Sequence, residues 1–109
     1  MLGRHLNEAT PVTGPEGVTR RTLAHNGQVM LCRFDLRQGA VIPLHRHPPH
    51  QIGYVVSGRV RFRSQRHPEG FEVRDGGTYV FDSSEEHGAE ALEDSVMIQV
   101  FSPSRPEYV

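Results

Sequence analysis

The chain has no lysine: all twelve of its basic residues are arginine, which excludes Schiff-base chemistry on a lysine amine. Cysteine is almost absent as well. Cys32 stands alone, so an intramolecular disulfide and a multi-cysteine zinc site are both ruled out, and a reducing, cytoplasmic setting is the simpler expectation. Cys32 lies within the apolar run 29–34, so a buried, inert thiol is expected. No apolar run approaches the ~20 residues needed to cross a bilayer. The first residues show neither an apolar h-region nor a cleavage pattern, so no secretory leader is expected. Neither sign of charge dominates: thirteen acidic and twelve basic residues leave a formal charge of -1. That balance gives no reason to expect nucleic acid or a membrane surface as a partner. Also missing is any apolar 3.6-residue period of helical length.

What is present reads as β-structure. At 109 residues the chain is one domain by length, large enough to bury a core without a disulfide scaffold. Short alternating segments recur with glycine turns between them at roughly 8–12-residue spacing, the pattern of an all-β barrel or sandwich. Strands are expected at Val18–His25 and at 28–37, 41–44, 51–57, 59–64, 71–74, 78–81, 87–92 and 96–102. Residues 1–17, with Pro11, Gly14, Pro15 and Gly17, read as an arm with little regular structure, 18–103 as the barrel and 104–109 as an irregular tail. Asn26-Gly27 between apolar alternations predicts a tight hairpin, because both residues tolerate positive φ. In the segment after it, Met30, Cys32, Phe34 and Leu36 share one face. Val60 and Phe62 face inward in theirs, with Arg59, Arg61 and Arg63 outward.

Histidine is the compositional oddity. There are seven, and three of them, His45, His47 and His50, fall within six residues. In an extended chain His45, His47 and Gln51 share parity and can converge on one point, with His87 arriving from a later strand. His50 has the opposite parity and points away unless Pro48-Pro49 introduces a bulge. His5, His25 and His67 read as surface residues. Neutral imidazole is the commonest protein ligand for transition-metal ions, and the amide oxygen of Gln51 can join it.

The run Gly39-x5-His45-x-His47-x3-Gln51-x6-Gly58 resembles the first motif of the cupin superfamily, whose fourth fixed position is usually Glu. The run Gly76-x5-Asp82-x-Ser84-x2-His87-x3-Ala91 resembles the second motif, with Asp82, Ser84 and Ala91 replacing its usual Pro, Gly and Asn. The resemblance implies a double-stranded β-helix (jelly-roll) barrel. It also implies one divalent transition metal ion (Zn, Ni, Mn, Fe or Co) held by His45, His47, Gln51 and His87. Gln supplies an oxygen but no charge. An ion held this way keeps more of its charge and should be the stronger Lewis acid, though bound less tightly. The set also departs from the two-His-one-carboxylate triad of non-haem iron oxygenases.

A narrower resemblance covers His45-x-His47-Pro48, Gln51-x-Gly53-Tyr54-Val55-Val56-x-Gly58 and Val100-Phe101-Ser102-Pro103-x-Arg105. It is to the small cupins that convert cyclic 4,5-unsaturated uronates from pectin and alginate to the linear keto form. That family implies an Asp, a Phe and an Arg spaced D-x-F-x3-R. The matching positions here are Gln99, Phe101 and Arg105. Gln99 cannot exchange a proton at neutral pH. Glu85 and Glu86, in the loop before His87, read as solvated, with Glu86 a candidate spare base. Arg105 is a candidate clamp for a carboxylate, and Tyr54 and Tyr79 read as either pocket or interface residues. Three functions stay open: a metal-dependent sugar-acid tautomerase or isomerase, a metal-dependent dioxygenase, and a non-catalytic module binding a small ligand or metal. The family also implies a homodimer, and the apolar row Val96, Ile98 and Val100 needs a cover.

Overall fold

The computed structural model describes residues 1 and 3–109. Ten strands build it: β1 (Val12–Thr13), β2 (Val18–His25), β3 (Met30–Leu36), β4 (Val41–His45), β5 (His50–Ser57), β6 (Arg59–Ser64), β7 (Phe71–Arg74), β8 (Thr78–Phe81), β9 (His87–Ala91) and β10 (Ser95–Ser102). They form two antiparallel sheets, ordered β1-β2-β3-β10-β5-β8 and β4-β9-β6-β7. The two sheets face each other as a jelly roll, with the apolar core between them.

The core follows from strand alternation. Met30, Cys32, Phe34 and Leu36 of β3 are buried, and so are Met97, Gln99 and Phe101 of β10, Val60 and Phe62 of β6, and Phe81 of β8. Their alternate neighbours point outward, as period-2 geometry requires. Cys32 is fully buried, and desolvation raises its thiol pKa, so the thiolate is disfavoured. Four expected strands, 18–25, 59–64, 71–74 and 78–81, have the observed bounds, and 96–102 begins one residue earlier, at Ser95.

Gly58 joins β5 to β6 with φ +101°, and a Cβ there would lie 2.2 Å from Ser95 Oγ, so the position admits only glycine. The β2–β3 hairpin forms differently from expectation: neither Asn26 nor Gly27 has positive φ. Instead the Asn26 side-chain oxygen accepts hydrogen bonds from the backbone N–H of Gln28 (2.8 Å) and Val29 (3.0 Å), an Asx turn in a wider loop. The arm carries more regular structure than its Gly and Pro content suggested: a 3-10 turn at Leu6–Glu8, then β1 paired to the edge of β2. The tail likewise ends in a 3-10 turn, Pro106–Tyr108.

Candidate metal centre

His45 closes β4, His47 follows it, Gln51 lies on β5 and His87 opens β9. The β4–β9 register sets His45 opposite His87, and the bend at 46–49 returns the chain so that His47 and Gln51 face the same interior. The three imidazoles offer ligand atoms that all lie within 4.8 Å of one another. His47, Gln51 and His87 are buried, and His45 is half-buried.

Each ring is held by its outer nitrogen. Nδ1 of His45 donates to the Pro43 carbonyl (2.8 Å), Nδ1 of His47 to Pro49 (2.9 Å) and Nδ1 of His87 to Glu85 (2.7 Å). Such a bond fixes the tautomer and leaves the Nε2 lone pair facing inward. Burial lowers the pKa of His47, with the nearby Arg105 charge adding to it, and burial pushes His87 down to about 4. Both rings are therefore neutral at pH 7. Gln51 Oε1 lies 3.0 Å from His47 Nε2 and 3.1 Å from His87 Nε2. With each ring's single proton on Nδ1, these are acceptor–acceptor approaches, and a cation resolves that repulsion. Two donors ~2.1 Å from a shared ion and at right angles to each other are ~3.0 Å apart, so the spacing fits a metal ion.

His50 points away, as its parity requires: it is exposed, and its Nδ1 accepts the Ser83 N–H (3.1 Å). His5, His25 and His67 are exposed too. Glu85 differs from expectation. It is buried, not solvated, with one carboxylate oxygen on the Asp82 N–H (2.9 Å) and the other 3.6 Å from Arg66. Glu86 is half-buried, with its carboxylate 3.5 Å from the Arg46 guanidinium. Ser84 adopts φ 60°, the left-handed conformation that the usual glycine of this motif would take without strain, and its N–H bonds the His47 carbonyl (2.8 Å).

Gln51, Gln99, Phe101 and Arg105 line one cavity with His45 and His87. It measures about 30 Å³, room for a water molecule and no more. None of the described residues around it is acidic. Gln99 Oε1 accepts hydrogen bonds from Gln51 Nε2 and from the Tyr79 hydroxyl (2.7 Å). Phe101 stands edge-on to His47, ring centroids 5.6 Å apart. Arg105 lies 5.2 Å from the Phe101 ring, donates to the Tyr108 hydroxyl (2.9 Å) and pairs with Glu107 (3.0 Å).

Sequence reasoning left Tyr79 undecided and missed Tyr108. Tyr79 is buried, its burial raising the phenol pKa, whereas Tyr54 is exposed on the outer face. The Tyr108 carbonyl accepts Thr22 Oγ1–H (2.6 Å), and its ring packs against Phe101 and Arg20, so the tail roofs the cavity. No local pattern marks Tyr108, because two of the residues that dock it, Arg20 and Thr22, lie 88 and 86 positions away.

Residues 32–101 match the sequence pattern described as the cupin domain. The fold superposes on KdgF from a Halomonas species with a TM-score of 0.90 at 31% identity, covering 99% of this chain and 100% of that one. An RmlC-like cupin from Shewanella frigidimarina superposes at 0.91 with 22% identity, over 98% and 95% of the two chains. The polyketide cyclase RemF from Streptomyces resistomycificus does so at 0.81 with 21% identity, over 97% and 82%. The last two, below a quarter identical, speak to the fold alone. No curated protein matches the chain in sequence.

Proposed function

The chain belongs to the cupin domain family, and from that membership we propose a mononuclear metal-binding cupin that isomerises a small sugar acid of the unsaturated-uronate class. The observation that carries the reading is the convergence of His45, His47 and His87 with Gln51 Oε1 beneath a cavity roofed by Arg105. His45, His47, Gln51 and His87 would hold one divalent transition metal ion, which would supply Lewis-acid polarisation of a substrate oxygen.

The chain's own groups do the rest. Arg105 binds the substrate carboxylate in bidentate fashion, its guanidinium lying over the Tyr108 ring (4.0 Å) and near the Phe101 ring (5.2 Å). The carboxylate of Glu107 now sits on Arg105, so substrate entry exchanges one carboxylate for another and lifts the Pro106–Tyr108 turn off the cavity. Gln99 has its oxygen occupied and offers its amide N–H to a substrate hydroxyl. The reaction is an isomerisation: the anomeric hydroxyl loses a proton, the bond from the anomeric carbon to the ring oxygen breaks, and the enol so formed takes a proton on carbon to become the ketone. Gln99 moves no proton, so the transfers fall to water admitted with the substrate.

The test is to mix metal-loaded protein with unsaturated galacturonate and follow the loss of enol absorbance. Turnover above buffer supports the reading; none, with occupancy confirmed, refutes it. The absence of an acid among the described cavity residues favours a second reading, a binding module without turnover, for which the ligand would be recovered unchanged.

A homodimer in a reducing, cytoplasmic setting completes the proposal. The outer face of the larger sheet carries Ile52, Tyr54, Val56 and Val80, all exposed, beside half-buried Ile98 and Val100, an apolar surface suited to a second copy. Sedimentation at low concentration checks it: a species of monomer mass would refute the dimer.

A further inference from the structure

We propose that Gln99 and Tyr79 are positioning residues that fix which end of the Gln51 amide faces the three imidazoles. The two ends of a glutamine amide are nearly equal in shape and opposite in polarity. The oxygen can bind a cation and the NH2 cannot. Whatever meets the far end of Gln51 therefore decides whether the side chain is a ligand. That partner is Gln99 Oε1, which accepts a hydrogen bond from Gln51 Nε2.

Gln99 is itself an amide and needs a device of its own. The Tyr79 hydroxyl supplies it, donating to the same oxygen at 2.7 Å. In the flipped arrangement Tyr79 would accept from Gln99 and send its proton to Met97 Sδ, 3.6 Å away, a weak acceptor. The neutral phenol thus selects the Gln99 oxygen, and the Gln99 oxygen selects the Gln51 NH2.

Sheet register makes the reach possible. Tyr79 of β8 and Gln99 of β10 are both paired with Gly53 of β5. Tyr79 crosses the strand between them over the missing side chain of Gly53, where a Cβ would stand 2.2 Å from Tyr79 Cζ. In this light Gln99 is not an acid that has been lost but the partner an uncharged amide ligand requires.

The inference rests on Gln51 facing the metal. Its test is Co(II) affinity of the metal-free protein, measured by competition with a chromophoric chelator, together with the Co(II) absorption spectrum. Gln99→Leu should weaken Co(II) binding ~10–100-fold, the usual effect of removing a partner behind a ligand, and shift the spectrum. Gln99→Glu keeps the acceptor and should restore binding to within about threefold, and Tyr79→Phe should fall between. With Gln51→Glu in place there is no amide to orient, so adding Gln99→Leu should cost nothing further. If Gln99→Leu does not fold, Tyr79→Phe and Gln99→Glu decide the matter alone. Wild-type affinity and spectrum in Gln99→Leu and Tyr79→Phe would overturn the inference and leave the metal reading standing. So would a Gln99→Leu penalty undiminished beside Gln51→Glu. Wild-type protein that takes up no Co(II) would overturn both.

Discussion

Replacing Gly53 by alanine tests how the interior of the larger sheet is packed. The added Cβ would sit 2.2 Å from Tyr79 Cζ and 2.3 Å from its hydroxyl, where carbon contacts prefer ~3.5–4.0 Å. The ring must retreat by more than ~1 Å. It has little room, being 4.2 Å centroid to centroid from Phe62 and 5.8 Å from Phe81. Overpacking of this kind costs ~1–3 kcal/mol, and losing the buried bond to Gln99 adds ~1 kcal/mol. The expected loss is about 2–4 kcal/mol. With ~2.1 cal/mol/K of unfolding entropy per residue, that lowers the melting temperature by roughly 9–17 °C. Thermal and urea unfolding of the metal-free protein measure it. Tyr79→Phe gives no relief, because Cζ itself is in the way. With Tyr79→Leu in place, the same glycine-to-alanine change should be neutral or stabilising by up to ~1 kcal/mol, since glycine is costly within a strand. A Gly53→Ala protein within ~0.5 kcal/mol of wild type, inside the range of an ordinary surface change, would refute the packing account.

Four further outcomes are expected. His87→Ala should abolish stoichiometric metal binding in calorimetry, whereas His50→Ala, at an exposed ring outside the cluster, should bind as wild type does. Metal-free protein should lose stability as pH falls from ~6.5 toward 4: the folded state refuses a proton at His87, held near 4, while the unfolded state accepts one. The loss should level off below pH 4 at about 3 kcal/mol, read from urea midpoints at successive pH values. Ser84→Gly should stabilise by ~0.5–1 kcal/mol in thermal unfolding, by relieving a left-handed serine. Glu107→Ala should tighten binding of a carboxylate substrate by up to about fivefold in equilibrium titration, the share that an exposed ion pair withholds.

The barrel was legible because its strands obey period 2 with few exceptions. β6, β7 and β8 could be bounded from apolar alternation and the glycines beside them. The three-histidine cluster was legible as His-x-His plus a distant histidine, since parity separates His45 and His47 from His50. What escaped was information carried across strands. Tyr79, Gly53 and Gln99 form a row only once β8, β5 and β10 are in register, and no window of sequence contains all three. Glu85 read as solvated because a polar turn gives no sign of folding its carboxylate onto its own backbone. Asn26 makes the same point in reverse: the dipeptide announced a turn, but the side-chain oxygen, not a positive φ, closed it.

The inward lone pairs of His47, His87 and Gln51 have a consequence beyond chemistry. Without a cation they are a patch of local frustration, mutually repelling groups that the rest of the barrel holds together. A cation that binds only the folded state adds ~2.7 kcal/mol to stability at a hundred times its dissociation constant. The lifetime of this protein would then rise and fall with the free metal around it, so that scarcity would thin its population through unfolding and degradation without any dedicated sensor.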